Sequence, residues 1–335
     1  MYSLITKFII FFFAVLILNS PAFAISEAGE YSLDTPNFLF KDKMTFGKTH
    51  VWGAFNNHFM FRLNDAENEY EIDALNLGID TKHTDKLNTR VMFNYNPLSE
   101  RPLPQQMFAD MYVQSKHIPN HVITVGHQRP PVGKNGGESP YTLDSIMRSQ
   151  IARNFGTVRK LGASIKSDRE NVSYNLGVYS SDTYFQSFFP GVEFVGWVEG
   201  RHKDRFGGVT SAGYGLDIGE RGKSFCVNSF ALGYDYKKLS LDAELGIADN
   251  YNGPSGSLTE AKAHGYNVSA GYMITPKVQV TAGYDEFTKN DITKRYMGAG
   301  LNYYIKGQAL KIQSNYFYSP DNGSHRILLG FQFLL

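Results

Sequence analysis

The chain has 335 residues, with 33 Lys and Arg against 32 Asp and Glu, and its mean hydropathy is negative at -0.30 although 42% of its residues are hydrophobic, including 21 Tyr and 25 Phe. So even a balance excludes reading an ionic substrate from overall charge, and no nucleic-acid partner is expected. The single cysteine, Cys226, excludes an intrachain disulfide and a cysteine-based metal cage; it reads as a strand residue in an apolar setting rather than a reactive thiol.

The first segment has Lys7, an apolar run from Phe8 to Leu18, and small residues at Ala22 and Ala24 around Phe23. This is the pattern of a cleaved signal peptide over residues 1–24, with the mature chain starting at Ile25. The run is shorter than the ~20 residues a helix needs to span a bilayer. No later stretch is apolar for ~18 residues, so residues 25–335 form either a secreted soluble domain or a membrane barrel. Aromatic richness with a polar average favours the barrel, whose wall needs only every second residue apolar.

In chain order, a first strand is expected at about Phe46 to Phe61. From Leu87 to Tyr95 the odd positions are Leu87, Thr89, Val91, Phe93 and Tyr95, and the even ones Asn88, Arg90, Met92 and Asn94. That period of two is a half-buried strand. It returns from Leu239 to Ile247, from Val278 to Asp285, from Met297 to Ile305 and from Leu310 to Tyr318. Short turns at Lys82 to Lys86, Ile118 to Asn120, Asp168 to Asn171, Lys237 and Lys238, Thr275 to Lys277 and Lys306 to Gln308 alternate with mostly longer polar connections. Among the longer ones are Pro97 to Pro104, Gln128 to Thr157 and Ala248 to Lys262. Short turns at one rim and long loops at the other mark an outer-membrane barrel rather than a sandwich.

Alternation of rims also constrains the count. For the connection after Ile247 to lie on the long-loop rim, the stretch from Asp182 to Ser224 must hold two strands. The expected pair is Gly191 to Glu199 and Arg205 to Gly215, joined around His202 to Asp204. The total becomes about sixteen antiparallel strands, enough for an aqueous lumen. The last row, Ile327, Leu329, Phe331, Phe333 and Leu335, would invite aggregation as an exposed edge and is expected to close the barrel.

Several segments resemble one family. Gly126-His-Gln-Arg-Pro-Pro-Val-Gly133, then Leu143-Asp-Ser-Ile-Met-Arg148, is similar to the strand and third loop of the phosphate-selective porin O and P family. Lys238-Leu-Ser-Leu-Asp-Ala-Glu244 and Gly300-Leu-Asn-Tyr-Tyr304 resemble later strands of it. The resemblance implies a bacterial outer-membrane porin, a homotrimer in lipid, with the third outer loop folded inward to narrow each pore and small anions or other small hydrophilic solutes passing through.

The residues of that loop fit such a mechanism. Arg129, Lys134, Arg148, Arg153, Arg159 and Lys160 are opposed there only by Glu138 and Asp144. Positive charge at a constriction attracts anions, and guanidinium groups match phosphate oxygens in a fork. The plain alternative is a set of solvated loop charges. Elsewhere the inward rows are mixed, with Arg90, Lys160, Lys166 and Lys311 set against Asp80, Asp110, Asp235, Asp242, Glu244 and Asp285, which favours anion preference over strict phosphate specificity.

Enzymatic chemistry finds little support. There is no GxSxG elbow or P-loop, and His117 and His121 flank Pro119 in a turn, so a HExxH zinc site is excluded. No catalytic residue, cofactor or metal is expected. The alternatives to an anion-preferring channel are a general or sugar-type porin, a plugged barrel with an adhesive or structural role, and, least supported, an outer-membrane lipase.

Overall fold

A computed structural model describes residues 38–39, 44–64, 68–95, 108–156, 158–181, 191–220, 223–251 and 262–335. The expected signal peptide, the connection from Pro97 to Pro104 and most of that from Ala248 to Lys262 lie outside the described residues. A two-residue strand β1 (Thr45–Phe46) precedes β2 (Thr49–Arg62), β3 (Asn68–Thr84), β4 (Leu87–Tyr95), β5 (Phe108–Ser115) and β6 (Val122–Gln128). Then come β7 (Lys160–Asp168), β8 (Val172–Ser180), β9 (Val192–Lys203), β10 (Val209–Glu220), β11 (Ser224–Tyr236) and β12 (Leu239–Asp249). The chain ends with β13 (Lys262–Thr275), β14 (Val278–Lys289), β15 (Ile292–Lys306), β16 (Leu310–Ser319) and β17 (Ser324–Leu334). No helix among the described residues is long and apolar enough to cross a membrane.

Each strand from β2 to β17 pairs antiparallel with the next, and β17 returns to β2 from Arg326 opposite Arg62 to Leu334 opposite Ala54. The result is a closed barrel of sixteen strands, with β1 folded back on the start of β2. Closure removes the free edges that a long apolar sheet would otherwise expose.

The two faces follow the period of two. On β11, Phe230 and Leu232 stand 47% and 62% exposed, while Ser229 and Ala231, the residues that flank Phe230, are buried. Val125, Phe194, Leu245, Ile247 and Val268 belong to the same apolar outer surface. The last strand alternates in the same way: Leu328, Gly330, Gln332 and Leu334 are buried, and Ile327, Leu329, Phe331 and Phe333 are half-exposed on the other row.

Turn chemistry sets the rims. Between β14 and β15, Asn290 and Asp291 take φ 47° and 64°, the paired left-handed conformation that a two-residue hairpin needs and that Asn and Asp tolerate. The expected turn around His202 to Asp204 is corrected. His202 and Lys203 continue β9, and β10 begins at Val209 rather than Arg205. The Asp204 carboxylate accepts the Phe206 and Gly208 backbone N–H groups at 2.7 and 2.9 Å, and Gly207 at φ 89° closes the bend. A side chain that caps its own following backbone moves the turn beyond itself. The first strand is also divided, because Gly47 at φ 61° turns the chain between β1 and β2.

Candidate functional site

The connection from β6 to β7, residues 129–159, is the only one whose described residues bond across most of the barrel. Pro130 and Pro131 end β6 because neither can donate to a ladder. Two short helices follow, α1 (Lys134–Gly137) and α2 (Gln150–Phe155). Gly133 sits at φ 70°, ψ 172°, a region open essentially to glycine alone, and a Cβ there would stand 2.2 Å from Glu244 Oε1. That space lets the backbone N–H groups of Lys134 and Asn135 donate to the Glu244 carboxylate at 2.9 and 3.1 Å, joined by Asn135 Nδ2 at 2.8 Å.

Farther along, the connection is gripped by the row of strand residues opposite the exposed apolar one. Lys311 Nζ and Gln332 Nε2 donate to the Tyr141 carbonyl, and Lys311 Nζ donates to that of Leu143 at 2.9 Å. Asn302 donates to the Asp144 carbonyl, Gln279 to the Asp144 carboxylate, and Ile146 N–H to Asn315 Oδ1. At α2, Ser149 Oγ accepts the Ala152 N–H, and Asp285 accepts the Gln150 N–H at 2.8 Å. Apolar contact completes the seating: Val132, Ile151 and Phe155 pack with Val227, Tyr251 and Phe287, and the Phe155 ring meets Phe287 edge-on at 5.4 Å.

The six cations expected to act together are placed differently. Arg129 Nη1 and Arg148 Nη2 both donate to the Glu138 carbonyl, at 2.8 and 2.7 Å, and Arg148 Nη1 donates to the Asn135 carbonyl. Their hydrogen-bond partners are neutral, so neither guanidinium is in a direct ion pair, while Asp110 attracts Arg129 and Glu138 attracts Arg148 through space. Arg159 joins them electrostatically while its Nε bonds Asp110 at 2.5 Å. Lys134 is paired with Asp242, and Lys160 lies 2.5 Å from both oxygens of buried Glu193. Arg153 is exposed and faces Asp285 without a hydrogen bond among the described residues.

Burial, then the neighbouring Arg159 and Arg148, push Arg129 down to about 9, and burial pushes Arg148 down to about 10 despite the nearby Glu138. Both remain protonated at neutral pH. Burial acts the other way on the carboxyl of Glu138, pushed up to about 7, with Asp242 and Asp144 adding to the rise and Lys134 and Arg148 opposing it. For Lys134, desolvation is outweighed by the Asp242 carboxylate, which holds the ammonium above its ordinary range.

Among the mixed charges expected on the inward rows, Arg90 and Asp80 pair with each other and several others hold the 129–159 connection. Asp80 takes Arg90 in a fork, at 2.6 and 2.8 Å, and the Trp52 indole N–H at 3.0 Å. Asp110, Asp242, Glu244 and Asp285 each hold a group of the 129–159 connection. Sequence reasoning missed the amide set Gln279, Asn302, Gln313, Asn315 and Gln332. Its signal was the polar row of the late strands, where uncharged amides stand between the charges that drew attention. The turn reading of His117 and His121 agrees with the structure, where His121 bonds the Pro119 carbonyl and Tyr174 Oη, and His117 bonds Ser115 Oγ.

Residues 227–326 match the family model described as phosphate-selective porin O and P. That match covers less than a third of the chain. It takes in the motifs Lys238–Glu244 and Gly300–Tyr304, whereas Gly126–Gly133 and Leu143–Arg148 lie outside it. Among solved structures, OmpF of Salmonella typhi aligns with a TM-score of 0.62 at 12% identity, covering 86% of this chain and 97% of that one. The trimer form of OmpT, an outer-membrane protein of Vibrio cholerae, aligns at 0.59 with 11% identity, and so does an anion-selective porin from Comamonas acidovorans; each covers 86% of this chain and 99% of the other. A search of curated proteins found no match. Family signature and porin fold together indicate the bacterial outer membrane.

Proposed function

We propose that this porin forms a water-filled channel for passive diffusion of small hydrophilic solutes, with a preference for anions, and that it performs no chemistry. The carrying observation is the convergence of Arg129, Arg148 and Arg159, two of them bonded only to backbone carbonyls, with Asp110 already paired to Arg159 and Glu138 the carboxylate that opposes Arg148. On this reading the 129–159 connection lies within the lumen and narrows it, presenting the guanidinium groups to passing solutes. Lys134, Arg153 and Lys160 contribute less, Lys134 and Lys160 through their pairing and Arg153 because it faces Asp285. Phosphate-like anions suit a forked donor set, whereas chloride needs only the charge. The anion-selective neighbour and the family signature support the preference, and the trimer-form neighbour supports a homotrimer in outer-membrane lipid, reached by way of the leader at residues 1–24.

Purified folded protein in a planar bilayer tests this directly. Stepwise conductance is expected, and under a KCl gradient the reversal potential should have the sign of anion preference. Arg129→Ala with Arg148→Ala should remove most of that preference in chloride, phosphate and gluconate alike. An unchanged reversal potential would leave these residues as structural charges, and absence of conductance would favour a plugged barrel.

A pH dependence is also expected. With its carboxyl pushed up to about 7, Glu138 is neutral below that pH and negative above it. Raising the pH from 6 to 8 therefore places a negative charge among guanidiniums that stay protonated, and anion preference should decline. Glu138→Gln should abolish the change; a reversal potential constant across this window in the unsubstituted protein would refute it.

A further inference from the structure

Away from the 129–159 connection, one cluster on the inner wall has the composition of a metal site. His58 on β2 stands opposite Glu71 on β3. The register then jumps from Asn57 opposite Ile72 to Asn56 opposite Ala74, leaving Asp73 as the extra residue of a bulge. Bulges re-aim side chains, and this one brings Asp73 Oδ2 to 2.8 Å from His58 Nδ1. On the other side of the ring, His58 Nε2 lies 3.7 Å from Glu71 Oε2. One donor atom from each of the three residues falls within 4.8 Å of the others.

The histidine is the informative member. Its side chain is 3% exposed and its Nε2 is buried without a hydrogen-bond partner. Buried polar atoms in folded proteins are seldom left so. Asp73, accepting from Nδ1, fixes the tautomer that leaves the Nε2 lone pair free, the arrangement in which an outer carboxylate orients a ligating imidazole. Zinc bonds of ~2.0–2.1 Å at tetrahedral angles separate two ligand atoms by ~3.3 Å, so Glu71 must close a gap of only roughly 0.4 Å. Its side chain is 41% exposed and can move. Glu69, the next carboxylate along the row, is held by Arg62 at 2.5 Å.

We propose that His58 Nε2 and Glu71 bind a divalent transition-metal cation, zinc or one of similar ligand preference, with Asp73 orienting the imidazole. One imidazole and one carboxylate suit zinc, cobalt and nickel better than calcium or magnesium. The remaining coordination positions are filled by water. The site lies four residues before the end of β2, toward the rim that carries the long connections, and is separate from the arginine cluster.

The competing arrangement is a protonated His58 bridging two carboxylates with no metal. Calorimetric titration of tag-free, folded protein with zinc chloride at pH 7.5 separates them. One saturable equivalent per chain is expected, its affinity falling at least tenfold in Glu71→Gln, becoming unmeasurable in His58→Gln, and falling about tenfold in Asp73→Asn, the usual effect of losing an orienting partner. No saturable binding, or binding that both Glu71→Gln and His58→Gln leave unchanged, overturns the proposal. Folding of each variant is checked by its gel mobility with and without heating; should His58→Gln not fold, Glu71→Gln decides alone, since that carboxylate is partly exposed. The measurement needs no transport, so its outcome is independent of the channel reading.

Discussion

Lys160→Met is expected to lower the unfolding free energy of the barrel by about 3–5 kcal/mol, the cost of leaving a buried charge without its partner. Lys160 on β7 is 4% exposed, Glu193 on β9 is fully buried, and Asp217 on β10 is 1% exposed. The ammonium lies 2.5 Å from both Glu193 oxygens. Neither Asp217 oxygen has a hydrogen-bond partner among the described residues. Removing the ammonium leaves two adjacent carboxylates in a site that water scarcely reaches. Equilibrium unfolding in guanidinium, followed by tryptophan fluorescence, measures the loss. Adding Glu193→Gln and Asp217→Asn to Lys160→Met should restore most of it, because hydrogen-bonding groups without charge need no counterion. A cost below about 1 kcal/mol for the single change, the range of an exposed pair, would show that the triad is already hydrated.

The second large effect concerns conductance. Glu244→Ala combined with Asp285→Ala should release the 129–159 connection and enlarge the single-channel steps. Glu244 accepts three N–H groups at the start of α1, and Asp285 accepts one at the start of α2. Hydrogen bonds to a charged group contribute about 1.5–3 kcal/mol, so removing both carboxylates weakens the seating by roughly 3 kcal/mol or more, at least a hundredfold in the ratio of released to seated chains. Bilayer recordings should show larger and noisier steps, and trypsin should cleave at Arg148 or Arg153 in the variant but not in the parent. Unchanged steps together with resistance to trypsin would mean that the apolar contacts of Ile151 and Phe155 suffice to hold the connection.

Much of the architecture was legible because a membrane barrel writes its geometry in a local code. Leu87 to Tyr95 coincides with β4, and the rim argument placed two strands in the ambiguous stretch where β9 and β10 are found. The turn between them was misplaced because Asp204 caps backbone groups beyond itself, a preference that period-two reasoning does not weigh. The candidate site was legible only as a list of cations. Whether a cation is neutralised depends on residues far away in sequence: Lys134 meets Asp242 and Lys160 meets Glu193, whereas Arg129 and Arg148 meet a carbonyl. Those partnerships are set by strand register around the barrel, which no single segment encodes. His58 was likewise one histidine among several until the bulge brought Asp73 to it.

The seam between β17 and β2 governs how such a chain can reach its folded state. Asn64 Nδ2 donates to the Gly323 carbonyl across 259 positions of sequence, and the ladder beside it joins the last strand to the first long one. Every other strand pair joins neighbours in sequence, the widest gap being the 129–159 connection between β6 and β7. This one alone must wait for the whole sheet to curl round, against the entropy of its longest loop. Until then both edges stay unpaired in an environment that offers their backbone groups no water. Partially closed species are therefore short-lived or lost to aggregation, and barrel formation should be slow, late and all-or-none at the seam.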